Sequence, residues 1–135
     1  MAAQGRKNVH GKTGVRFKAA YTASKEKSML RNVVTDLIIH GQVKVTSGVV
    51  KPLRKVAERM IGYAKKNTLA SRRNAAAFVR PILADEKSGT TALQKLFNEL
   101  GPKFASRNGG YTRSFKLGER RGDSAEVTLV RWSDR

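Results

Sequence analysis

Excess positive charge is the feature that most limits what this chain can fold into. It holds 28 Lys and Arg residues against 10 Asp and Glu, a formal net charge of +18 on 135 residues. The excess is concentrated in residues 1–83, which hold 18 basic and 3 acidic residues, whereas residues 84–135 hold 10 and 7. Such a surface repels itself and destabilises a compact state unless a polyanion neutralises it. The charge therefore favours a nucleic-acid-binding protein, ahead of one that binds anionic lipid or keeps its charges merely solvated.

Composition removes several other classes. A chain of this length is typical of one domain. Cys is absent, which excludes disulfides, thiolate metal sites and cysteine nucleophiles. No apolar run approaches the roughly 18 residues of a membrane span, so we expect no membrane insertion. The N-terminus lacks the apolar segment of a secretory signal, but residues 1–25 contain no acid, which leaves a transit peptide open.

Residues 1–22 predict a basic N-terminal arm. They show neither helical nor strand periodicity, and Gly5, Gly11 and Gly14 interrupt them. We expect this arm to be disordered until it meets phosphate groups. Its five cations are candidates for phosphate contact: Arg6, Lys7, Lys12, Arg16 and Lys18.

The remaining residues, 23–135, predict a single compact α+β domain with a small mixed sheet, in the order helix, strand, three helices and two strands. Apolar residues at helical spacing predict a first helix that ends at Gly41. The alternating segment "QVKVTS" (42–47) predicts a strand. An alanine-rich segment predicts a helix over 69–80, and "ADEKSG" (84–89) predicts a polar loop.

The second helix, which runs to about Lys66, has two contrasting faces. It begins either after a cap at Thr46 or Ser47, which places Pro52 inside it, or at Pro52 itself. The apolar face contains Leu53, Val56, Ala57, Met60, Ile61 and Ala64. The opposite face carries Lys51, Lys55, Arg59, Lys65 and Lys66. We therefore expect one face to pack in a core and the other to meet a polyanion.

A capping box predicts where the last helix begins. Thr91 and Gln94 have the spacing in which each side chain bonds the other residue's backbone N–H group. Gly101-Pro102 ends this helix, with room for one further turn. The alternating segments "YTRSFKLG" (111–118) and "EVTLVRW" (126–132) predict two strands that pair antiparallel.

No catalytic set emerges from the motifs. The segment "GRKNVHGKT" has five residues between Gly5 and the Gly-Lys-Thr triplet, whereas a phosphate-binding P-loop needs four and a preceding strand. The tripeptide Arg121-Gly122-Asp123 fits an ordinary turn. The two histidines, His10 and His40, have neither metal-ligand spacing nor a nucleophile nearby in sequence. We expect no enzyme, no cofactor, no metal site and no small-molecule substrate.

Three aromatic residues in the final strands admit two interpretations. Tyr111, Phe115 and Trp132 could stack on RNA bases, as aromatics do in single-strand binders. Aromatics at strand spacing are more often core residues, and this chain has few apolar residues to spare. The pattern favours a core position for Phe115 and leaves Tyr111 and Trp132 undecided.

One segment resembles a known family. "LQKLFNELGPKFASRNGGYTR", followed by "RRGD", is similar to the seventeenth large-subunit ribosomal protein of bacteria, the L-seventeen family. Weaker matches are "MLRN", "LRKVAERMI" and "SRRNAAAFVR", so the resemblance covers about Met29 to Val130. It implies a compact α+β body with an extended basic arm. It also implies binding to 23S rRNA near the exit of the nascent-chain tunnel, beside other large-subunit proteins, on a ribosome that is cytoplasmic unless the host ribosome is organellar.

The resemblance also implies which cations contact rRNA. These are Arg31, Arg54, Lys55, Arg72, Arg73, Lys103, Arg107, Arg113, Arg120 and Arg121. Further candidates rest on charge and predicted position alone: Lys25, Lys27, Lys51, Arg59 and Lys116. The arm departs from the family, in which it is shorter and richer in arginine, so its contacts are not carried over. Glu26 in the first helix, and Gly48 and Pro52 at the start of the second, also depart from the family pattern.

Two other function classes are alternatives to an rRNA-binding ribosomal protein. An architectural DNA-binding protein would use the same phosphate contacts, which carry no sequence information. A nucleotide-dependent enzyme is disfavoured by the failed P-loop spacing. In the favoured interpretation, Gly109 and Gly110 give the loop its backbone freedom while Lys103, Arg107 and Arg113 bind phosphates.

Overall fold

Two amphipathic helices and a three-stranded sheet form the core of residues 23–133, the part of the chain that the computed structural model describes. The segments in chain order are α1 (Ala23–His40), β1 (Gln42–Thr46), α2 (Ser47–Lys66), α3 (Leu69–Ala76), β2 (Leu83–Asp85), β3 (Thr90–Thr91), α4 (Ala92–Lys95), a π-helical turn (Leu96–Leu100), α5 (Gly101–Lys103), β4 (Thr112–Glu119) and β5 (Glu126–Trp132). This arrangement confirms the α+β class. The predicted arm, residues 1–22, lies outside the described residues.

The three-stranded sheet has the order β1-β5-β4, and both strand pairs are antiparallel. The predicted mixed sheet is therefore wrong, although the antiparallel pairing of the last two strands is confirmed. A parallel pair needs a crossover connection between neighbouring strands. Here β4 returns to β5 through a turn, and β1 joins the other edge of β5 in the opposite direction.

A second, two-stranded sheet was not predicted, and its strands lie at the two ends of the segment predicted as a polar loop (84–89), whose residues 86–89 form a turn. Strands β2 and β3 pair across a turn that Asp85 organises. Its carboxylate accepts the Lys87 amide N–H and the Ser88 hydroxyl, each at 3.0 Å. Gly89 completes the turn with a φ of +68°, a conformation that glycine adopts without steric cost.

The apolar stripe predicted for α2 is buried over its whole length, which confirms the orientation of that helix. On α1, Val34 and Leu37 are fully buried against it. Trp132 ties the sheet to this helix pair, because its indole Nε1 donates a 3.0 Å hydrogen bond to the Leu37 carbonyl. Phe104 is fully buried, with its ring centroid 5.3 Å from that of Tyr111 and 6.0 Å from that of Trp132. The two undecided aromatics are therefore core residues.

Helix boundaries follow the capping chemistry in part. Helix α2 begins at Ser47, so Pro52 lies inside it and cannot donate the bond that the Gly48 carbonyl would otherwise accept. Helix α3 ends at Ala76, four residues before the predicted end. The capping box of Thr91 and Gln94 is present, with backbone bonds of 3.3 and 3.0 Å.

Gly101 continues the last helix instead of ending it. The chain passes from the π-helical turn into α5, which confirms the further turn that the sequence allowed. A Cβ on Gly101 would lie 3.0 Å from the carbonyl oxygen of Ala64. Glycine at this position allows the close approach of two helical backbones.

Candidate nucleic-acid interface

The exposed face of α2 presents three cations in a row. Lys51, Lys55 and Arg59 are exposed and stand four residues apart, so they recur about every 6 Å along one side of the helix. Within residues 23–133 none of them forms an ion pair or a hydrogen bond. Like charges at this spacing destabilise a helix by roughly 0.2–0.5 kcal/mol per pair. This row is suited to a partner that supplies negative charge along a line.

Lys65 does not join that row, although the helical wheel placed it there. Its ammonium donates to the Arg107 carbonyl at 2.6 Å and to the Tyr111 hydroxyl at 3.2 Å. The Tyr111 hydroxyl in turn donates to the same carbonyl at 3.1 Å. These bonds fix to α2 the two ends of residues 107–111, the glycine loop, which contains Gly109 and Gly110.

The glycine loop adopts the backbone conformation that its sequence predicted. Gly109 and Gly110 have φ values of +107° and +61°. Lys103 and Arg113, on either side of the loop, are exposed. Arg107 is half-buried, and within the described part of the chain its Nη1 atom is buried without a hydrogen-bond partner. Exposed cations therefore lie on both sides of a loop that Lys65 holds in place through its hydrogen bonds to Arg107 and Tyr111.

Three of the predicted contact arginines also hold the fold together. Arg31 Nε donates to the Phe78 carbonyl at 2.8 Å, and Arg54 Nε donates to the Thr112 hydroxyl at 3.3 Å. Arg72 donates to the Asn67 side chain through Nε and Nη2, at 3.1 and 2.9 Å. A guanidinium has five N–H donors, so each of these side chains keeps donors for a further ligand. Their positions are set by the fold before any ligand arrives.

At the turn between β4 and β5, acidic partners engage part of the positive charge. Arg120 forms a two-point ion pair with Asp123, and Lys116 Nζ lies 3.3 Å from Glu126 Oε1. The Arg120 hydrogen bonds, with a second bond from the Ala125 amide, lower the pKa of Asp123 to about 2. Arg121 is exposed and, among the described residues, has no acidic partner. Arg121 is therefore the cation that this turn presents to a ligand.

The other predicted contacts are exposed or lie outside the described residues. Lys25 and Lys27 are exposed in the first turns of α1, and Arg73 is exposed on α3. The five arm cations, Arg6, Lys7, Lys12, Arg16 and Lys18, lie outside the described residues. The structure therefore distributes the predicted contacts over several surfaces and does not gather them into one pocket.

Phe115 is the aromatic residue whose predicted position is wrong. It was expected in the core, but it is 43% exposed on β4, and the Arg131 guanidinium lies 5.5 Å from its ring centre. Lys44 and Arg131, which the sequence did not single out as contacts, lie on the same face of the sheet as Phe115. Strand alternation had placed Lys44 opposite the apolar side of β1, but the register that joins it to Phe115 could not be read from the sequence.

Residues 23–133 contain no cluster of three or more His, Asp or Glu side chains able to hold a metal ion. None of the helices in that range combines the length and the apolar character needed to cross a bilayer. The candidate interface consists of exposed cations, the backbone of the loop at Gly109 and Gly110, and the exposed ring of Phe115.

Comparison with known proteins identifies one family. The profile of the family described as "Ribosomal protein L17" matches residues 29–132. The "Large ribosomal subunit protein bL17" of Shouchella clausii is 48% identical over 113 residues, which cover 84% of this chain and 94% of that protein. The protein of the same name from Ligilactobacillus salivarius is 47% identical over 123 residues, covering 87% and 97%. At that identity and coverage, the chain belongs to the ribosomal protein L17 family.

Proposed function

We propose that this protein is a structural constituent of the large ribosomal subunit, where it binds and stabilises 23S rRNA near the exit of the nascent-chain tunnel. Family membership supports the large subunit and its rRNA as the setting, with neighbouring ribosomal proteins as further partners. The location near the tunnel exit rests on the family resemblance of the segment from Leu93 to Arg113. A cytoplasmic ribosome is the expected compartment.

The row of Lys51, Lys55 and Arg59 is the observation that carries the proposal. These cations repel one another in the free protein, and none of them forms an ion pair with a described acidic residue. Phosphate groups along an RNA strand remove that repulsion and add charge-assisted hydrogen bonds. Binding therefore relieves a cost that the isolated fold carries.

The glycine loop provides a second contact that differs in kind. Lys103 and Arg113 offer exposed charges, whereas the Gly109-Gly110 backbone allows an RNA strand to approach closely because no Cβ intervenes. Lys65 holds this loop in one conformation, so little ordering entropy is lost on binding. Contacts to phosphates position the protein, and they neutralise RNA segments that would otherwise repel one another.

Sedimentation of cell extract tests the proposal. A tagged full-length chain should co-sediment with the large subunit in a sucrose gradient and remain there after a high-salt wash. A variant with Lys51, Lys55 and Arg59 each changed to Glu should be lost from the subunit, whereas Lys87→Glu, in the exposed turn between β2 and β3, should behave like the unchanged protein. Association of the unchanged chain with chromatin instead of the subunit would contradict the proposal.

A further inference from the structure

The three-stranded sheet has one covered and one open face. Val130 of the central strand is fully buried and lies opposite Val43, which packs against the core, so the helices cover this face at β1 and β5. Ser114, opposite Val130 in the edge strand β4, is exposed. Residues opposite one another across a sheet share a face, and neighbours along a strand alternate. The open face therefore consists of the residues that alternate with these along each of the three strands.

Phe115 lies midway along the edge strand β4, on the open face. It is opposite Leu129 in the central strand, and Lys44 lies beyond Leu129 in β1. Leu117, at the irregularity in the register of β4, is 50% exposed. Isolated exposed apolar residues are ordinary, but a contiguous apolar group on an open sheet face is typical of a binding site.

The charges on this face narrow the choice of partner. Arg113 and Arg131 lie opposite each other, and with Lys44 they place three cations around the apolar residues Phe115 and Leu129. Glu126 and Glu119 pair at positions that alternation assigns to the other face, so the open face has no acid at its paired positions. A second copy of this chain, with its own charge of +18, is disfavoured as a partner.

We propose that the open face binds unpaired nucleotides of RNA, with a base stacked on Phe115 and phosphates held by Lys44 and Arg113. The proposal rests on the RNA-binding function given above and specifies which RNA structure this face takes. The Arg131 guanidinium over the Phe115 ring extends the flat surface, since bases stack on both kinds of plane.

The open face should bind unpaired RNA in preference to an RNA duplex, because base pairing limits access to the bases. In an RNA duplex the bases are already stacked on one another and the major groove is too narrow for side chains. An aromatic ring on an open sheet can therefore reach a base only in a loop, a bulge or a single strand. The cations would bind either form, so the ring alone supplies the preference.

Fluorescence anisotropy with the full-length chain tests this step. The probes are a labelled oligoadenylate, which is unpaired, and a labelled RNA hairpin with a short closed loop. Phe115→Leu keeps an apolar side chain but removes the ring, and it should weaken oligoadenylate binding by about 5- to 150-fold. Phe115→Trp, which keeps a ring, should bind oligoadenylate as the unchanged chain does, and all variants should bind the hairpin stem equally.

A second measurement detects stacking directly. The tryptophan emission of Phe115→Trp should be quenched by oligoadenylate beyond any change in the unchanged chain, whose Trp132 is buried. Equal oligoadenylate affinity for Phe115→Leu and the unchanged chain, without extra quenching in Phe115→Trp, would overturn the stacking proposal. That result would not contradict the proposed RNA-binding function of the protein if the unchanged chain still bound both RNAs. Failure of the unchanged chain to bind either RNA would instead reject both proposals.

Discussion

Gly101 packs so tightly on Ala64 that a Cβ on Gly101 would lie 3.0 Å from the Ala64 carbonyl oxygen and 3.3 Å from the Ala64 Cβ. The contact joins α2 to the start of α5, beside the buried Phe104. Backbone atoms on both sides leave little freedom to give way, because each belongs to a helical segment.

Gly101→Ala should therefore destabilise the protein by about 1–3 kcal/mol, the usual cost of overpacking. Gly62→Ala is the matched control, because Gly62 lies in α2 and a Cβ there meets nothing within 4 Å. That control should be neutral or stabilise by about 0.4–1 kcal/mol. Urea unfolding of both variants measures the difference, and equal midpoints would contradict the close contact.

The two faces of α2 predict opposite phenotypes. Met60→Asp should unfold the protein, at a cost above about 4 kcal/mol, since Met60 is 2% exposed and the new carboxylate would be buried without a partner. Lys55→Glu should leave the fold intact, with a melting temperature no lower than that of the unchanged chain because it removes two like-charge pairs, and it should weaken rRNA binding. Thermal melts and filter binding, run on the same preparations, check both statements, and the reverse ranking in the melts would mean that the helix is oriented differently.

Lys65 should matter for stability more than its neighbour. Lys65→Met removes the hydrogen bonds to the Arg107 carbonyl and the Tyr111 hydroxyl, so we expect a loss of about 1–3 kcal/mol. Lys66→Met, at the next and exposed position, should change stability by less than about 0.5 kcal/mol. Hydrogen exchange at Gly109 and Gly110 should rise in the first variant and stay constant in the second.

The ion pair of Arg120 and Asp123 predicts a pH dependence confined to one turn. Hydrogen bonding lowers the pKa of Asp123 from 3.8 to about 2 in the folded protein. A lowered pKa means that the ionised carboxylate stabilises the turn above about pH 4, and that this contribution is lost as the pH falls through about 2. An NMR titration of the Asp123 carboxyl carbon checks the value, and Arg120→Gln should move the pKa back towards its ordinary range.

Salt should weaken rRNA binding steeply. Each phosphate contact releases condensed counterions, so the logarithm of the affinity should fall linearly with the logarithm of the salt concentration. With the exposed cations described here, the slope should correspond to roughly 6–10 contacts. Lys55→Glu should make the slope shallower by about one contact. A titration in potassium chloride with little change in affinity would contradict an electrostatic mechanism.

The helices could be predicted from the sequence because their periodicity directly reflects which side is buried. The stripe of α2, the capping box at Thr91 and the turn at Gly109 all depend on residues close in sequence. Lys65 was misjudged for the opposite reason. A helical wheel assigns it to the polar face, whereas the acceptor that draws it inwards belongs to Arg107, 42 residues further along the chain.

The sheet was predicted less completely because alternation shows two faces without showing whether either is covered. Phe115 alternates with Ser114 and Lys116 as a core residue would, yet the helices pack on the other face of β5. The wrong prediction of a mixed sheet and the failure to predict the β2–β3 pair have a related cause. Strand direction and short-strand pairing depend on partners that lie elsewhere in the chain.

Strand order has a consequence for how this chain folds during synthesis. The central strand, β5, is the last of the described strands to be made, and β1 has no strand beside it until Val130 is available to pair with Val43. Trp132, which bonds to α1, arrives later still. A nascent chain that has emerged only as far as β4 can form its helices but has no sheet to cover them. Closure of the core is therefore a late event, completed only when the final strand has left the ribosome that made it.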